Sequence, residues 1–490
     1  MKKVDLVSAH PGASLFQFVW PMILGNLFQQ FYNMADSMIV GWFLGEEPLA
    51  AVGASYSLTT VFIMLALGGG IGASVLTSQY YGAKLIEKMR TSISTALLSF
   101  FTVSIFLAGV GLLLNKVILL ALKTPENILG DAGIYLGIYF IGLPFLFMYN
   151  ILSAIFNALG KSKIPLMLLI FSSLLNISLD LLFVAGFSMG VGGAAAATVI
   201  AQGISVCGSF LILRRTLKSL VCENQTKYQT QEHLEFDRQA SRRRDQENNV
   251  QEIHNQEIHD QEIHANHKPP LFDPHMLLRA TKIAIPSMIQ QSIVSVGMLL
   301  VQSVINSFGS SMLAGYSAGG RVESFCIVPM IAMGNAMSTF CAQNLGAGKL
   351  ERVKSGYRYA ILYVLGFAVI IVLFLQVFGA SILSIFLPDA EQRVAFDTGL
   401  RYVHFLSFFY ILIGLKSATD GILRGAGDIL FMVTNLINLT IRVTLANALA
   451  PSWGVDAVWW AVPIGWGVNF VLSFLWMSTG HWRKRNLINE

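Results

Sequence analysis

The chain has 490 residues, of which 54% are hydrophobic and only 12% are charged, and its mean hydropathy is +0.60. A soluble domain carries about 25% charged residues, so this composition excludes a water-soluble globular protein and indicates one embedded in a lipid bilayer. The net charge of +5 does not indicate nucleic-acid binding, because basic cytoplasmic loops of membrane proteins produce the same excess.

Twelve apolar stretches of about 20 or more residues follow one another, which is the length that a helix needs to cross a bilayer core. They are predicted at 14–43, 50–77, 91–115, 130–158, 163–186, 191–213, 277–308, 312–341, 357–386, 396–422, 429–449 and 456–480. Lys and Arg concentrate in alternate connections, from Lys2 and Lys3 to Arg483 and Arg485. The positive-inside rule therefore predicts that both termini lie in the cytoplasm. We expect a multi-pass protein of the inner membrane.

The two halves of the chain repeat each other. Pro21 and the runs 49–54 and 79–84 return about 265 residues later as Pro286 and the runs 313–318 and 343–349. Because each half holds an even number of spans, the halves enter the membrane from the same side, as parallel repeats do in secondary transporters. The sequence therefore predicts an all-α membrane protein with twelve transmembrane helices in two parallel six-helix repeats, with a substrate path between them.

Residues 214–275 interrupt this apolar pattern with a polar, Gln- and His-rich stretch that contains three copies of Gln-Glu-Ile-His, the first at Gln251. Such a composition cannot bury a core, so we predict a disordered cytoplasmic linker. The chain then divides into an N-terminal lobe, 1–213, the linker, 214–275, and a C-terminal lobe, 276–490.

Few ionisable side chains lie inside the predicted spans, and each needs a partner, a wet cavity or a function, because a charge is costly in a bilayer. The candidates for such a role are Asp36, Asp180, Glu323, Lys416, Asp420 and Arg442. Asp36 and Asp180 are predicted at the same depth in the outer half of the membrane, roughly 26 Å from the cytoplasmic face at 1.5 Å per residue. Asn176 lies one helical turn before Asp180, and Thr198 in span six is predicted at a similar depth.

These four polar side chains in the N-terminal lobe allow three interpretations. Two carboxylates, an amide oxygen and a hydroxyl could coordinate Na⁺ through hard oxygen ligands. The two carboxylates could instead hold a proton, because burial and a neighbouring like charge both favour the neutral acid. Hydrogen bonds that serve packing alone are the third alternative.

The second half carries different polar residues at the corresponding positions. Gln302 stands opposite Asp36, and Asn438 to Arg442 stand opposite Asn176 to Asp180, so the amide recurs whereas the acid becomes a base. Glu323 in span eight and Arg442 in span eleven are both predicted near the midplane, where an unpaired charge is hardest to keep, so we expect them to pair. Gln302, Glu323 and Arg442 are therefore candidate polar residues of a cleft or of the C-terminal lobe.

The chain resembles the multidrug and toxic compound extrusion (MATE) family over nearly its whole length except the linker. The resemblance is carried by Pro21 to Gly45 with Asp36, Gln79 to Ala83, Leu159-Gly160, Asn176 to Asp180, Gly192 to Thr198, and Gln343 to Ala347. It implies a V-shaped cleft and efflux of mostly cationic, amphipathic organic compounds in exchange for Na⁺ or H⁺. It also implies an ion site at Asp36, Asn176, Asp180 and Thr198, with no cofactor besides the coupling ion.

One branch of that family, the NorM-like one, has a carboxylate ion site in its C-terminal lobe. Spans seven and ten of this chain, at 286–307 and 402–415, offer no acid at the expected depth. The resemblance is therefore closer to the DinF-like branch. We expect a monomer.

Two other functions remain as alternatives to drug efflux. A flippase for lipid-linked precursors, from the same superfamily, would need a cationic cluster for phosphates, and Arg442 with Lys416 is a small one. An intramembrane enzyme would need a nucleophile, a base or a metal motif, and the predicted spans contain no HExxH or GxSxG sequence. We therefore predict a transporter and not an enzyme.

Overall fold

The structure, a computed structural model, describes residues 4–122, 124–243, 270–387 and 393–483, and all regular secondary structure within these ranges is helical. The helices of the first half are α1 (Pro11–Leu44), α2 (Glu46–Gly82), α3 (Ile86–Ala121), α4 (Glu126–Ala158), α5 (Lys163–Asp180), a π-helical turn (Leu181–Gly186) and α6 (Gly190–Arg243). Those of the second half are α7 (Pro274–Asn306), α8 (Ser310–Cys326), α9 (Val328–Gly346), α10 (Leu350–Phe386), α11 (Arg393–Ser407), α12 (Tyr410–Gly425), α13 (Leu430–Trp453), α14 (Asp456–Thr479) and a 3₁₀ turn (His481–Arg483).

The all-helical membrane architecture is confirmed. Among the described residues, nine helical segments are long and apolar enough to cross a bilayer, or ten when α11 and α12, which meet at a 51° bend, form one broken span. Helices α1 and α7 are 34 and 33 residues long and complete a set consistent with the twelve predicted spans. Span eight was predicted as one helix but consists of α8 and α9, and Pro329 in the first turn of α9 cannot supply the backbone N–H that a continuous helix needs there.

The start of the predicted linker differs from expectation. Helix α6 continues without interruption from the membrane-spanning segment to Arg243, so residues 214–243 are helical and not disordered. The physical reason is local: this stretch contains no Pro or Gly and many Leu, Arg, Lys, Gln and Glu residues, all of which favour helix. Residues 244–269, which hold the Gln-Glu-Ile-His copies, lie outside the described residues.

The first helix of the chain bridges the two lobes. Leu15, Phe18 and Val19, in the first part of α1, are fully buried in the hydrophobic core of the C-terminal lobe. Helix α1 also packs beside α5 in its own lobe, and Ser162 Oγ, directly before α5, donates to the Phe18 carbonyl at 2.8 Å. Helix α7 behaves in the same way, because it packs against both α2 of the N-terminal lobe and α13 of its own. Each lobe is thus joined to the other through its first helix.

Two repeated glycines hold the lobes together at the end of the bundle where α1 begins, called here the proximal end. Helices α2 and α9 cross there so closely that a Cβ on Gly82 would overlap the backbone carbonyl of Gln343, and a Cβ on Gly346 would overlap that of Gln79. The glutamine side chains also cross over: Gln79 Nε2 donates to the Gly425 carbonyl at 3.2 Å and Gln343 Nε2 donates to the Ala158 carbonyl at 2.6 Å.

The N-terminal segment, residues 4–10, crosses the same end and contacts both lobes. The Val4 N–H donates to the Gly160 carbonyl at 3.2 Å. On the other side, Asn344 Nδ2 donates to the Leu6 carbonyl at 3.0 Å, and Arg352 Nη2 donates to the Ala9 carbonyl at 2.5 Å. Together with the glycine crossing, these contacts close the proximal end.

We predict that Gly346→Val destabilises the contact between the lobes. The new side chain has no room beside the Gln79 backbone, and overpacking of this kind costs about 1–3 kcal/mol. The melting temperature in detergent should fall accordingly. Gly109→Val is the matched control, because within the described structure a Cβ at Gly109 meets nothing within 4 Å. Equal melting temperatures for the two variants would contradict a close approach of α2 and α9.

Candidate ion site in the N-terminal lobe

The four candidate residues of the N-terminal lobe come together in the structure. Asp36 lies on α1, Asn176 and Asp180 lie on α5, and Thr198 lies on α6. The carboxyl groups of Asp36 and Asp180 are in hydrogen-bonding contact with each other. Asp180 and Asn176 are 0% and 1% exposed, so the site is enclosed by protein on the α5 side.

Asn176 links the acid on its own helix to the next helix. In the amide orientation that satisfies both neighbours, its Nδ2 donates to Asp180 Oδ2 at 3.0 Å, and its Oδ1 accepts from the Thr198 hydroxyl at 3.2 Å and from the Thr198 backbone N–H at 3.1 Å. Thr198 Oγ1 is also 3.2 Å from the Ala194 carbonyl oxygen. The spacing of four residues between Asn176 and Asp180 puts both on one helical face, as the sequence predicted.

A change in helix type occurs directly after Asp180. Helix α5 ends at this residue, and the chain continues as the π-helical turn Leu181–Gly186. Single π-helical turns inside helices are rare and occur often at functional sites, because the wider turn shifts the register of the side chains that follow. No spacing in the sequence indicates this turn.

The two carboxyl groups contain oxygen atoms that are available to a ligand. Among the described residues, neither Asp36 Oδ1 nor Asp180 Oδ1, both buried, has a hydrogen-bond partner. Two carboxyl groups in hydrogen-bonding contact need either a proton on one of them or a cation beside them, since two bare carboxylates repel. Carboxylate and hydroxyl oxygens are also suitable ligands for Na⁺. The site can therefore hold a proton or a small hard cation.

Two tyrosines of the site were missed by the sequence analysis. Tyr32 forms a side-chain hydrogen bond with Thr198, and Tyr135 on α4 lies near enough to interact electrostatically with both carboxyl groups. Tyr32 precedes Asp36 by one helical turn, a spacing that could have identified it. Tyr135 carries no such signal, because only the packing of α4 against α6 and α2 places it there.

The polar candidates of the C-terminal lobe do not form a similar site. Glu323 Oε2 accepts a hydrogen bond from the Tyr402 hydroxyl at 2.6 Å. Glu323 and Arg442, which were predicted to pair, lie near enough to interact electrostatically. They do not form a contact ion pair, since within the described ranges no N···O distance of 4.0 Å or less joins them. The reason is that Tyr402, on the bent span α11–α12, occupies the position beside Glu323. Gln302 is exposed on α7.

Proteins of similar sequence and solved structures of similar fold point to the same family. The family model described as MatE matches residues 21–182 and 286–447, one match in each repeat. The chain is 29% identical over 496 residues to "Probable multidrug resistance protein YpnP" of Bacillus subtilis (strain 168), with 100% of both chains covered. It is also 29% identical over 209 residues to "DNA damage-inducible protein F" of Escherichia coli (strain K12), covering 42% of this chain and 45% of that protein.

Similarity of fold extends over the whole chain. A solved structure described as "Outward-facing conformation of a multidrug resistance MATE family transporter of the MOP superfamily" superposes with a TM-score of 0.83 at 21% identity, and 99% of each chain is covered. The fold of two helical repeats is thereby confirmed, and the predicted count of twelve spans is consistent with it.

We predict that Glu323 is energetically coupled to Tyr402 more strongly than to Arg442. Contacting residues in a double-mutant cycle show interaction energies of about 0.5–3 kcal/mol, whereas separated residues are nearly additive. Thermal unfolding in detergent of Glu323→Gln, Tyr402→Phe, Arg442→Met and the two double variants measures both couplings. A larger coupling energy between Glu323 and Arg442 than between Glu323 and Tyr402 would contradict this prediction and support the ion pair expected from the sequence.

Proposed function

Because the chain belongs to the MatE family, a family of membrane transporters, we propose that it is a secondary active multidrug efflux transporter that exports cationic, amphipathic organic compounds in exchange for Na⁺ or H⁺. The observation that carries this proposal is the pair of contacting carboxyl groups, buried Asp180 and half-buried Asp36, inside an apolar helical lobe. Intramembrane acids are costly without a use.

The position of Asp36 suggests how ion binding and lobe movement are coupled. Asp36 lies on the later part of α1, whereas Phe18 and Val19 of the same helix are buried in the core of the opposite lobe. Loading of the carboxyl pair with a proton or a cation removes a repulsion between α1 and α5, and unloading restores it. Because α1 spans both lobes, a change in this contact shifts the equilibrium between two lobe arrangements.

Of the two coupling ions, the described geometry favours H⁺. Two carboxyl groups in contact can share one proton, whereas two bare carboxylates repel each other. Na⁺ is the second candidate, and Asp36, Asp180 and Thr198 would supply its oxygen ligands.

The closed proximal end supports an orientation for the cycle. If both termini are cytoplasmic, as the charge distribution predicts, the crossing of Gly82 and Gly346 seals the cleft from the cytoplasm. We propose that, in this arrangement, the protein takes up ions from the external side of the inner membrane and releases substrates to that side. We also propose that it acts as a monomer.

The alternative functions receive less support. Phosphate recognition by a flippase would need a cluster of free cationic groups in the cleft. Of the two candidates, Lys416 is paired with Asp420 at 3.4 Å, so Arg442 alone would have to serve. Membership in a transporter family favours transport over an intramembrane enzyme.

We predict that Asp36→Asn and Asp180→Asn each abolish coupled efflux and leave the fold intact, because each removes an ionisable group without changing its size. Ethidium efflux from proteoliposomes, driven by an imposed pH gradient and separately by an imposed Na⁺ gradient, tests this and also identifies the ion. Asp397→Asn is the matched control, since Asp397 is an exposed carboxylate on α11. Gradient-driven efflux that persists in either well-expressed variant would refute the coupling assignment.

A further inference from the structure

A second buried acid lies in the C-terminal lobe, on α12. Asp420 is 6% exposed, and neighbouring helices supply donors to both of its oxygens. Ser473 Oγ on α14 donates to Oδ1 at 2.7 Å, and Asn435 Nδ2 on α13 donates to Oδ2 at 3.0 Å. The Lys416 ammonium is 3.4 Å from Oδ2, and the side chains of Lys416 and Asp420 are 15% and 8% exposed.

Lys416 and Asp420 are one helical turn apart, so both groups lie on the same face of α12. The ammonium group is therefore held beside the carboxylate by the helix itself. Arg424, one turn further along, interacts electrostatically with Asp420 while its Nη2 donates to Asn335 Oδ1 at 2.9 Å. The carboxylate is thus flanked by positive charge on both sides along the helix.

The surroundings of Asp420 are rich in oxygen atoms beyond those of the ion pair. Ser473 Oγ is 3.0 Å from Thr434 Oγ1 and 3.1 Å from Asn469 Oδ1. Asn469 is 0% exposed, and within the part of the chain that the structure describes its Nδ2 has no hydrogen-bond partner. A carboxylate with two hydroxyls and an amide oxygen nearby is a donor set that suits a small hard monovalent cation.

We propose that Lys416 is a tethered cation that occupies a latent Na⁺ site built around Asp420, Thr434, Asn469 and Ser473. The ammonium group supplies the positive charge that the buried carboxylate requires, so no free ion binds there while Lys416 is present. Removal of the lysine side chain leaves the carboxylate without its contacting cation. Within the described residues, the Arg424 guanidinium lies more than 4.0 Å from the Asp420 oxygens and donates to Asn335, so a dissolved Na⁺ takes the place of the ammonium group.

This assignment has a consequence for transport that rests on the proposed function. An acid that is permanently compensated cannot be loaded and unloaded in a cycle, so Asp420 contributes no coupling ion. Of these two sites, only the carboxyl pair of the N-terminal lobe then exchanges a coupling ion. The binding experiment below does not depend on transport, so its failure is distinguishable from failure of the efflux assay.

The test measures Na⁺ binding to the purified full chain. Two quantities are recorded: binding of ²²Na⁺, and the rise in melting temperature when NaCl replaces choline chloride at constant pH. All variants also carry Asp36→Asn and Asp180→Asn, which remove the carboxylates of the N-terminal site. We expect Lys416→Met to gain about one bound Na⁺ per chain and a Na⁺-dependent rise in melting temperature. Further replacement by Asp420→Asn should abolish both. Lys116→Met, which removes an exposed lysine on α3, is the control and should gain neither.

Two results would overturn the proposal. A folded Lys416→Met variant without a Na⁺-dependent response would show that the pair serves stability alone. Lys416→Gln, which keeps a hydrogen-bond donor but no charge, provides the same test if Lys416→Met does not fold. The second result is Na⁺ binding while Lys416 is intact, with loss of that Na⁺ in Asp420→Asn. It would show that the lysine does not exclude the ion. This measurement needs no substitution at Lys416.

Discussion

An ionised side chain near the centre of a bilayer costs about 3 kcal/mol or more unless a partner compensates its charge. The functional organisation of this protein follows from how each buried acid meets that requirement. Asp36 and Asp180 contact each other and contain buried oxygens that no described group satisfies, so their compensation has to come from outside. Asp420 is compensated within its own helix by Lys416. Glu323 is held by the Tyr402 hydroxyl.

This difference makes two related halves electrostatically unequal. Both repeats retain an amide at the same position, Asn176 in the first half and Asn438 in the second. Asn176 is engaged by Asp180 and Thr198, whereas Asn438 Oδ1 has no partner among the described residues. The replacement of Asp180 by Arg442 in the second repeat removes the acid that would complete a paired site. In the proposed mechanism, one lobe therefore senses the ion and the other supplies a surface against which it moves.

Mechanical connection between the lobes depends on close backbone approach. The absence of side chains at Gly82 and Gly346 lets α2 and α9 cross in contact, and the side chains of Gln79 and Gln343 reach across to helix ends of the opposite lobe. These are neutral hydrogen bonds and van der Waals contacts, each worth only about 1 kcal/mol net. An interface of this kind can open and close within the energy that binding of a coupling ion supplies. Helix α1 connects it to the ion site.

The sequence by itself determined the membrane class and the repeat, and it singled out the four polar residues that meet in the N-terminal lobe. Apolar length, internal similarity and the rarity of acids in apolar spans are properties of composition and spacing. Asn176 and Asp180 could be paired from a helical spacing of four residues. Tertiary structure alone decided the contacts between helices that are distant in the chain. It placed Tyr402 rather than Arg442 beside Glu323, put Tyr135 near the acids and introduced the π-helical turn after Asp180. The rotation of one helix against another depends on how all its neighbours pack, and no spacing along a single helix records that.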